Sequence, residues 1–167
     1  FLFFLIFLVY PLLNTIKLSL YEWNGIDPEM VFVGLQNYKE MFHDDVFYKA
    51  FTNFAIYAAL VIILEIVIGF SLAYLMRRKN FLFNIYKAVI FAPVILLPVV
   101  VSYIFTDILA YSYGFVNTFL RNIGLDKLAL DWLGNPDVAL YTLIGITVWS
   151  GTGFAMSVYA SSLTSFP

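Results

Sequence analysis

The thirty residues from Val138 to Pro167 carry no charged side chain, and this run constrains the fold more than any other feature. A helix rises about 1.5 Å per residue, so about 20 apolar residues cross the hydrocarbon core of a bilayer. The sequence therefore predicts an all-α polytopic membrane protein. Its four transmembrane helices are expected at about 1–16, 54–76, 88–105 and 138–157. The first of these reaches spanning length only if residues precede Phe1, so we expect it to be clipped at its N-terminus.

The composition supports a membrane protein and excludes several kinds of chemistry. The chain is 62% hydrophobic and only 12% charged, whereas soluble domains carry roughly 25% charged residues. It contains no cysteine, which excludes disulfides, thiol catalysis and cysteine-ligated metals. The single histidine, His43, lies in a polar stretch beside Asp44 and Asp45, where a solvated loop histidine is a better interpretation than a metal ligand. We expect no metal site.

The distribution of basic residues predicts the orientation of the chain. The short segment 77–87 holds four of the nine basic residues, Arg77, Arg78, Lys79 and Lys87. Lys and Arg are enriched in cytoplasmic loops, so we expect this segment and the Pro167 end to be cytoplasmic. The longer loops 17–53 and 106–137 are then expected to face outward and to contain short interfacial helices.

The uncharged C-terminal segment has two distinct rows of residues. Thr147, Ser150, Gly151 and Phe154 fall at i, i+3, i+4 and i+7, which places them on one face of a helix. A small and polar stripe on a transmembrane helix suggests a wall along which a polar solute passes. The row Gly145, Trp149 and Gly153 has four-residue spacing, which is typical of close helix packing.

Glu65 is the only charged residue deep within a predicted span. An intramembrane carboxylate is costly and is a functional candidate by default. One interpretation is proton coupling or substrate contact. The other is a carboxyl group that faces the bundle interior, either protonated or hydrogen-bonded to a neighbouring helix. The other spans contain no Lys, Arg or His, which weakens any ion relay.

The third span contains Pro93 and Pro98, each of which removes a backbone hydrogen bond. A broken helix that lines a cavity and a kink that serves packing are both compatible with this pattern. The sequence contains no phosphate-binding glycine loop, no metal-ligand spacing and no Ser/His/Asp set. We therefore expect no catalytic residue and no enzyme activity in this chain.

Several short motifs in a fixed order resemble one known family. They are YPLLNTIKLSLYEWN, FVGLQNY, GFSLAYLM, a basic turn, FAPVILLPVVV, YGFVNTFLRNIGL, DWLGNP and VWSGTGFAM. Together they resemble the permease subunit of carbohydrate-uptake ABC importers, the binding-protein-dependent kind with the MetI-like fold of six transmembrane helices. The resemblance covers essentially the whole chain and implies that it ends just before the coupling loop, with two further spans to follow.

The resemblance also implies a function and a set of partners. It implies a membrane-spanning subunit in the inner membrane of a bacterium or archaeon, which imports a sugar delivered by an extracytoplasmic binding protein. A second permease subunit and a cytoplasmic ATPase dimer would complete the importer, and the ATPases would use ATP, so this chain would bind no cofactor. Sugar contacts near the family's Trp-x-Gly motif fall on Thr147, Ser150, Gly151 and Phe154. Alternatives are an ABC permease for a non-sugar solute, and a secondary transporter or channel that uses Glu65.

Overall fold

The computed structural model describes residues 1–76 and 83–165. Part of the predicted cytoplasmic segment, including Arg77, Arg78 and Lys79, lies outside the described residues, as does Pro167. The chain divides into two compact units, Phe1–Thr52 and Asn53–Pro167, and each is described by itself.

The first unit contains an apolar helix followed by a small polar assembly. Helix α1 covers Leu2–Leu18, strands β1 (Tyr21–Glu22) and β2 (Val31–Phe32) pair antiparallel, and helix α2 covers Gln36–Met41. Asn37 ties these elements together, because its Nδ2 donates to the backbone oxygens of Ser19 and Tyr21 at 2.9 and 3.0 Å. The predicted short helix in this loop is thus present, and a side-chain amide anchors it to the start of β1 and to the chain just before it.

Two long helices dominate the chain. Helix α3 runs from Asp45 to Leu75 and is about 46 Å long at 1.5 Å per residue, enough to cross a bilayer. Its start is set by Asp44, whose carboxylate accepts the backbone N–H of Val46 at 2.8 Å, as an N-cap does. Helix α3 therefore begins well before Phe54, where the predicted span starts.

The second long helix, α7, covers Pro136–Ser165 and is the most C-terminal of the described helices. Asn135 Oδ1 accepts the backbone N–H of Asp137 at 2.9 Å, and a proline occupies the first helical position, where its missing N–H costs nothing. Of the described helices, α3 and α7 are long and apolar enough to cross a membrane, whereas α1 is shorter.

The third predicted span is a broken helix rather than a straight one. Helix α4 (Phe83–Ile95) and helix α5 (Pro98–Ile108) meet at a bend of 99°. The break falls at Leu97, which has extended backbone angles (φ −63°, ψ 139°) because the residue before a proline is disfavoured in the helical region. Pro93 stays inside α4, so Pro98 sets the position of the break.

Small residues allow the helices of the second unit to approach closely. Gly69 on α3 lies against Ala155 and the backbone of Met156 on α7. Gly153 on α7 lies against the backbone of α4, where an added Cβ would overlap the carbonyl oxygen of Ile90. Close approach at small residues is the usual way in which helices pack in membranes. The core of this bundle is therefore built on α7.

The connection between α5 and α7 folds around one buried amide. It contains helix α6 (Phe115–Asn122), on which Asn117 is completely buried. The Asn117 Nδ2 donates to the carbonyl oxygens of Tyr111 and Leu130 at 3.2 and 2.8 Å, and its Oδ1 accepts the indole N–H of Trp132 at 2.9 Å. This one side chain fixes three separate points of the connection.

Candidate functional site

A cavity of about 450 Å³ lies between α3, α7 and the broken pair α4–α5. This volume is within the range of small-molecule sites, roughly 300–1,000 Å³. Pro93 and Pro98 line it on either side of the helix break. Its polar side chains come from three of these helices: Glu65 on α3, Ser102 on α5, and Thr147 and Ser150 on α7, where Gly151 also lines the cavity.

Glu65 and Gly151 fit together across the cavity wall. An added Cβ at Gly151 would overlap the Glu65 carboxylate oxygen Oε1, so the carboxylate occupies the space that a side chain at residue 151 would need. The predicted polar stripe on α7 and the isolated intramembrane charge on α3 therefore belong to one site. The structure joins two features that the sequence presents as unrelated.

The hydroxyl groups around the cavity differ in what remains available to a ligand. Thr147 Oγ1 and the Tyr57 hydroxyl share a hydrogen bond of 2.8 Å, and Ser102 Oγ donates to the Pro98 carbonyl at 2.9 Å. Within residues 1–76 and 83–165, neither the Ser150 hydroxyl nor the Glu65 carboxylate makes a hydrogen bond. These two groups are thus entirely free to bond a ligand, whereas the bonded hydroxyls keep only part of their hydrogen-bonding capacity.

Phe154, the fourth residue of the predicted stripe, does not line this cavity. It lies about one turn beyond Gly151 and its side chain is 62% exposed. The structure therefore brings together Thr147, Ser150 and Gly151 with Glu65, and leaves the aromatic ring on the exposed surface of α7.

The predicted packing row on α7 has three different environments. Gly153 is buried against the backbone of α4. Trp149 packs edge-on against the ring of Phe105 on α5, with centroids 5.3 Å apart. At Gly145 an added Cβ would meet nothing within 4 Å in the described part of the chain. Close backbone approach is thus concentrated at Gly153.

A larger cavity of about 600 Å³ lies on another side of α7, but its lining is mostly apolar and aromatic. Phe105, Trp132, Tyr141 and Trp149 contribute to it, and no charged residue does so within the described ranges. Ligand sites combine an apolar wall with a few convergent polar groups. The smaller cavity meets this description and is therefore the better candidate site.

Sequence reasoning missed two contributors to the site. Tyr57 lies eight residues before Glu65 on α3, a spacing that keeps both near one helix face. That spacing was visible in the sequence, but an aromatic residue in an apolar run carries no signal of its own. Ser102 gave no signal either, because only the break at Leu97 turns α5 toward the cavity.

Among the described residues, no three His, Cys, Asp or Glu side chains cluster to hold a metal ion.

Membrane-length helices around a polar cavity, with a broken helix in its wall, are an arrangement found in many membrane transport proteins. The fold matches that of solved ABC importers. It superposes on a bacterial ABC transporter involved in import of the acidic polysaccharide alginate with a TM-score of 0.83, at 23% identity, over 99% of this chain and 55% of that one. At this identity the likeness shows the fold alone.

Sequence relatives carry the comparison further. The chain is 34% identical to a probable ABC transporter permease protein, YurN, of Bacillus subtilis, over 98% of this chain and 57% of the relative. It is 28% identical to a diacetylchitobiose uptake system permease of Streptomyces coelicolor, over 98% of this chain and 49% of that protein. It is 26% identical to a trehalose/maltose transport system permease of Thermococcus litoralis, over 98% of this chain and 55% of that protein. No protein-family model matches the chain.

These comparisons confirm the predicted resemblance to the permease subunits of ABC sugar transporters and the predicted all-α membrane fold. The chain spans about half the length of the curated relatives that it matches.

Proposed function

We propose that this chain is part of the membrane-spanning subunit of an ATP-driven sugar importer, and that the cavity between α3, α4, α5 and α7 belongs to the path of the sugar. The observation that carries this proposal is the convergence of Glu65, Thr147, Ser150 and Gly151 on one cavity beside a broken helix. The similarity to permeases named for sugar uptake supports the same solute class.

The chemistry of the cavity suits a carbohydrate. Sugar hydroxyls need hydrogen-bond acceptors and donors set in a wall that is otherwise apolar. Glu65 supplies two acceptor oxygens, and the Ser150 hydroxyl can both donate and accept. Apolar residues such as Val94 and Ile146 supply the rest of the wall. Phe154 lies outside the cavity, and its proposed contact with a sugar belongs to a neighbouring part of the path.

The remaining parts of the importer follow from this role. We propose that a second permease subunit, a cytoplasmic ATPase dimer and an extracytoplasmic binding protein assemble with the complete subunit in the cell membrane. ATP would be used by the ATPases, so this chain would have no catalytic residue and no cofactor of its own. The segment 77–87 and the Pro167 end would face the cytoplasm, because the basic residues concentrate in that segment.

Substitution of Gly151 tests the path. In the full-length subunit, Gly151→Ala should lower sugar uptake because the new methyl group displaces the Glu65 carboxylate, and Gly151→Leu should block uptake because the side chain fills the cavity. Gly145→Ala is the matched control, since it makes the same change on the same helix at a position where a Cβ meets nothing within 4 Å.

The assay is uptake of radiolabelled sugar by cells that carry the full importer, with the amount of assembled complex measured for each variant. Normal uptake by Gly151→Leu at normal assembly would refute the proposed path. Equal losses in Gly151→Ala and Gly145→Ala would also count against it, because the effect would then come from replacing any glycine of α7.

A further inference from the structure

We propose that the cavity accepts uncharged and cationic sugars and disfavours carboxylated ones, and that Glu65 sets this preference. The inference rests on the proposed function, because it names the substrate class of the same path. It starts from one observation: Glu65 is the only charged side chain among the described residues that line the cavity.

A carboxylated sugar would find no cationic partner among the described residues that line this cavity. None of the described lining residues is Lys, Arg or His. A sugar carboxylate that enters must give up hydrating water, and this loss is costly when no cation replaces it. It would also approach the Glu65 carboxylate, and like charges repel strongly where the surroundings are less polar than water. A protonated Glu65 would remove the repulsion but would still supply no cation.

An uncharged sugar meets the opposite situation. The Glu65 carboxylate and the Ser150 hydroxyl make no hydrogen bonds within the described residues, so both are available to sugar hydroxyls. A carboxylate accepts hydrogen bonds with both oxygens, and hydrogen bonds to an ionised acceptor are stronger than neutral ones. By contrast, Thr147 is already bonded to Tyr57, and Ser102 to the Pro98 carbonyl. Glu65 is therefore the principal acceptor that the cavity offers.

Gly151 acts as a positioning residue for this acceptor. It lies on α7 opposite Glu65, and the absence of a side chain leaves room for the carboxylate beside the helix backbone. A methyl group at residue 151 would force the flexible Glu65 side chain to move, without requiring the two helices to separate. Gly151→Ala should therefore change the charge preference of the cavity as well as the uptake rate.

Three sugars that differ only at one carbon test the proposal. They are methyl glucopyranoside, its 6-carboxylate (methyl glucuronide) and its 6-amino derivative. Their dissociation constants are measured by saturation-transfer NMR on the assembled importer with the full-length subunit in lipid nanodiscs. The wild type should bind the glucoside and the amino sugar, and it should bind the glucuronide at least about tenfold more weakly.

Two substitutions separate the charge of Glu65 from its hydrogen bonds. Glu65→Gln keeps an acceptor oxygen, so the dissociation constant for the glucoside should stay within about threefold of the wild type. The ratio of the glucuronide dissociation constant to the glucoside dissociation constant should fall by about tenfold, because the repelling charge is gone. Glu65→Leu removes the acceptor, so affinity for the glucoside should fall by about tenfold or more. Glu40→Gln on α2 is the matched control, because it makes the same charge change at an exposed residue outside the cavity.

The outcomes distinguish this inference from the proposed function. If the ratio of the glucuronide and glucoside dissociation constants is the same in the wild type and in Glu65→Gln, the inference is overturned and the proposed sugar path is unaffected. A shift of the same size in Glu40→Gln overturns it too, since overall charge would then explain the effect. If the wild type binds none of the three sugars, the assignment of the cavity to a sugar fails, and the inference fails with it.

Discussion

Replacing Asn117 by alanine should destabilise the connection between α5 and α7 more than any single change on its surface. Asn117 is 0% exposed and takes part in three hydrogen bonds, two as donor to the carbonyls of Tyr111 and Leu130 and one as acceptor from Trp132. At about 1 kcal/mol each, their loss amounts to about 3 kcal/mol. The polar groups left buried without partners raise the total to about 3–5 kcal/mol.

Thermal unfolding of the purified full-length subunit, followed by tryptophan fluorescence, measures this effect. A loss of about 3 kcal/mol corresponds to a fall in Tm of about 5 °C, at about 2.1 cal/mol/K of unfolding entropy per residue, for a subunit of roughly 290 residues, the length of the relative of which 166 residues are 57%. Trp132 itself should report the change, because its indole N–H loses its acceptor.

Asn122→Ala is the matched control for this prediction. Asn122 lies on the same helix, is exposed, and makes no side-chain hydrogen bond within the described residues. Its replacement should change Tm by less than about 2 °C, since exposed substitutions usually cost under about 0.5 kcal/mol. If Asn117→Ala and Asn122→Ala unfold at the same temperature, the buried amide does not hold the connection together.

Three further substitutions probe the helix bundle through the same unfolding assay. Gly153→Ala should lower the free energy of unfolding by about 1–3 kcal/mol, because the new Cβ overlaps the backbone of α4; an unchanged Tm would contradict the close approach. Gly145→Ala should leave stability unchanged or raise it by up to about 1 kcal/mol, because its Cβ has free space and alanine favours the helix. Tyr57→Phe should cost about 1 kcal/mol, because it removes the hydrogen bond to Thr147 and keeps the ring; no loss of stability, or a loss as large as that of Gly153→Ala, would speak against this assignment.

Much of the fold follows from hydropathy alone. The uncharged run after Val138 became α7, and the apolar run around Glu65 became α3, because a chain segment in lipid must satisfy its backbone internally and a helix does so. Their starting residues did not follow from hydropathy. The side chains of Asp44 and Asn135 cap the N-termini of these helices. Both residues lie in polar sequence before the apolar run, so hydropathy does not locate them.

The sequence alone does not show which of the two prolines, Pro93 or Pro98, breaks the helix. Both Pro93 and Pro98 disfavour a helical residue before them, yet α4 continues through Pro93 and stops before Pro98. The part of α4 around Pro93 packs closely against α7, where Gly153 lies against the Ile90 carbonyl, and a helical backbone suits this close contact. Packing of this kind depends on residues distant in the sequence.

Trp132 gives a second example. It lies just before α7, a position typical of an aromatic anchor at the membrane surface. In the structure its indole N–H donates to the buried Asn117. A buried asparagine in a polar loop has the same sequence signature as an exposed one, so only the folded connection reveals this pairing.

The sequence by itself determined the class of this protein: helices of membrane length, a polar stripe on the last of them, and one intramembrane carboxylate. These properties are local, because they depend on the identity and spacing of residues along a single helix. Only the tertiary structure decided that the carboxylate and the stripe form one site. Glu65 and Gly151 lie on different helices, and their contact depends on how α3 and α7 pack against each other, which no periodicity within either helix encodes.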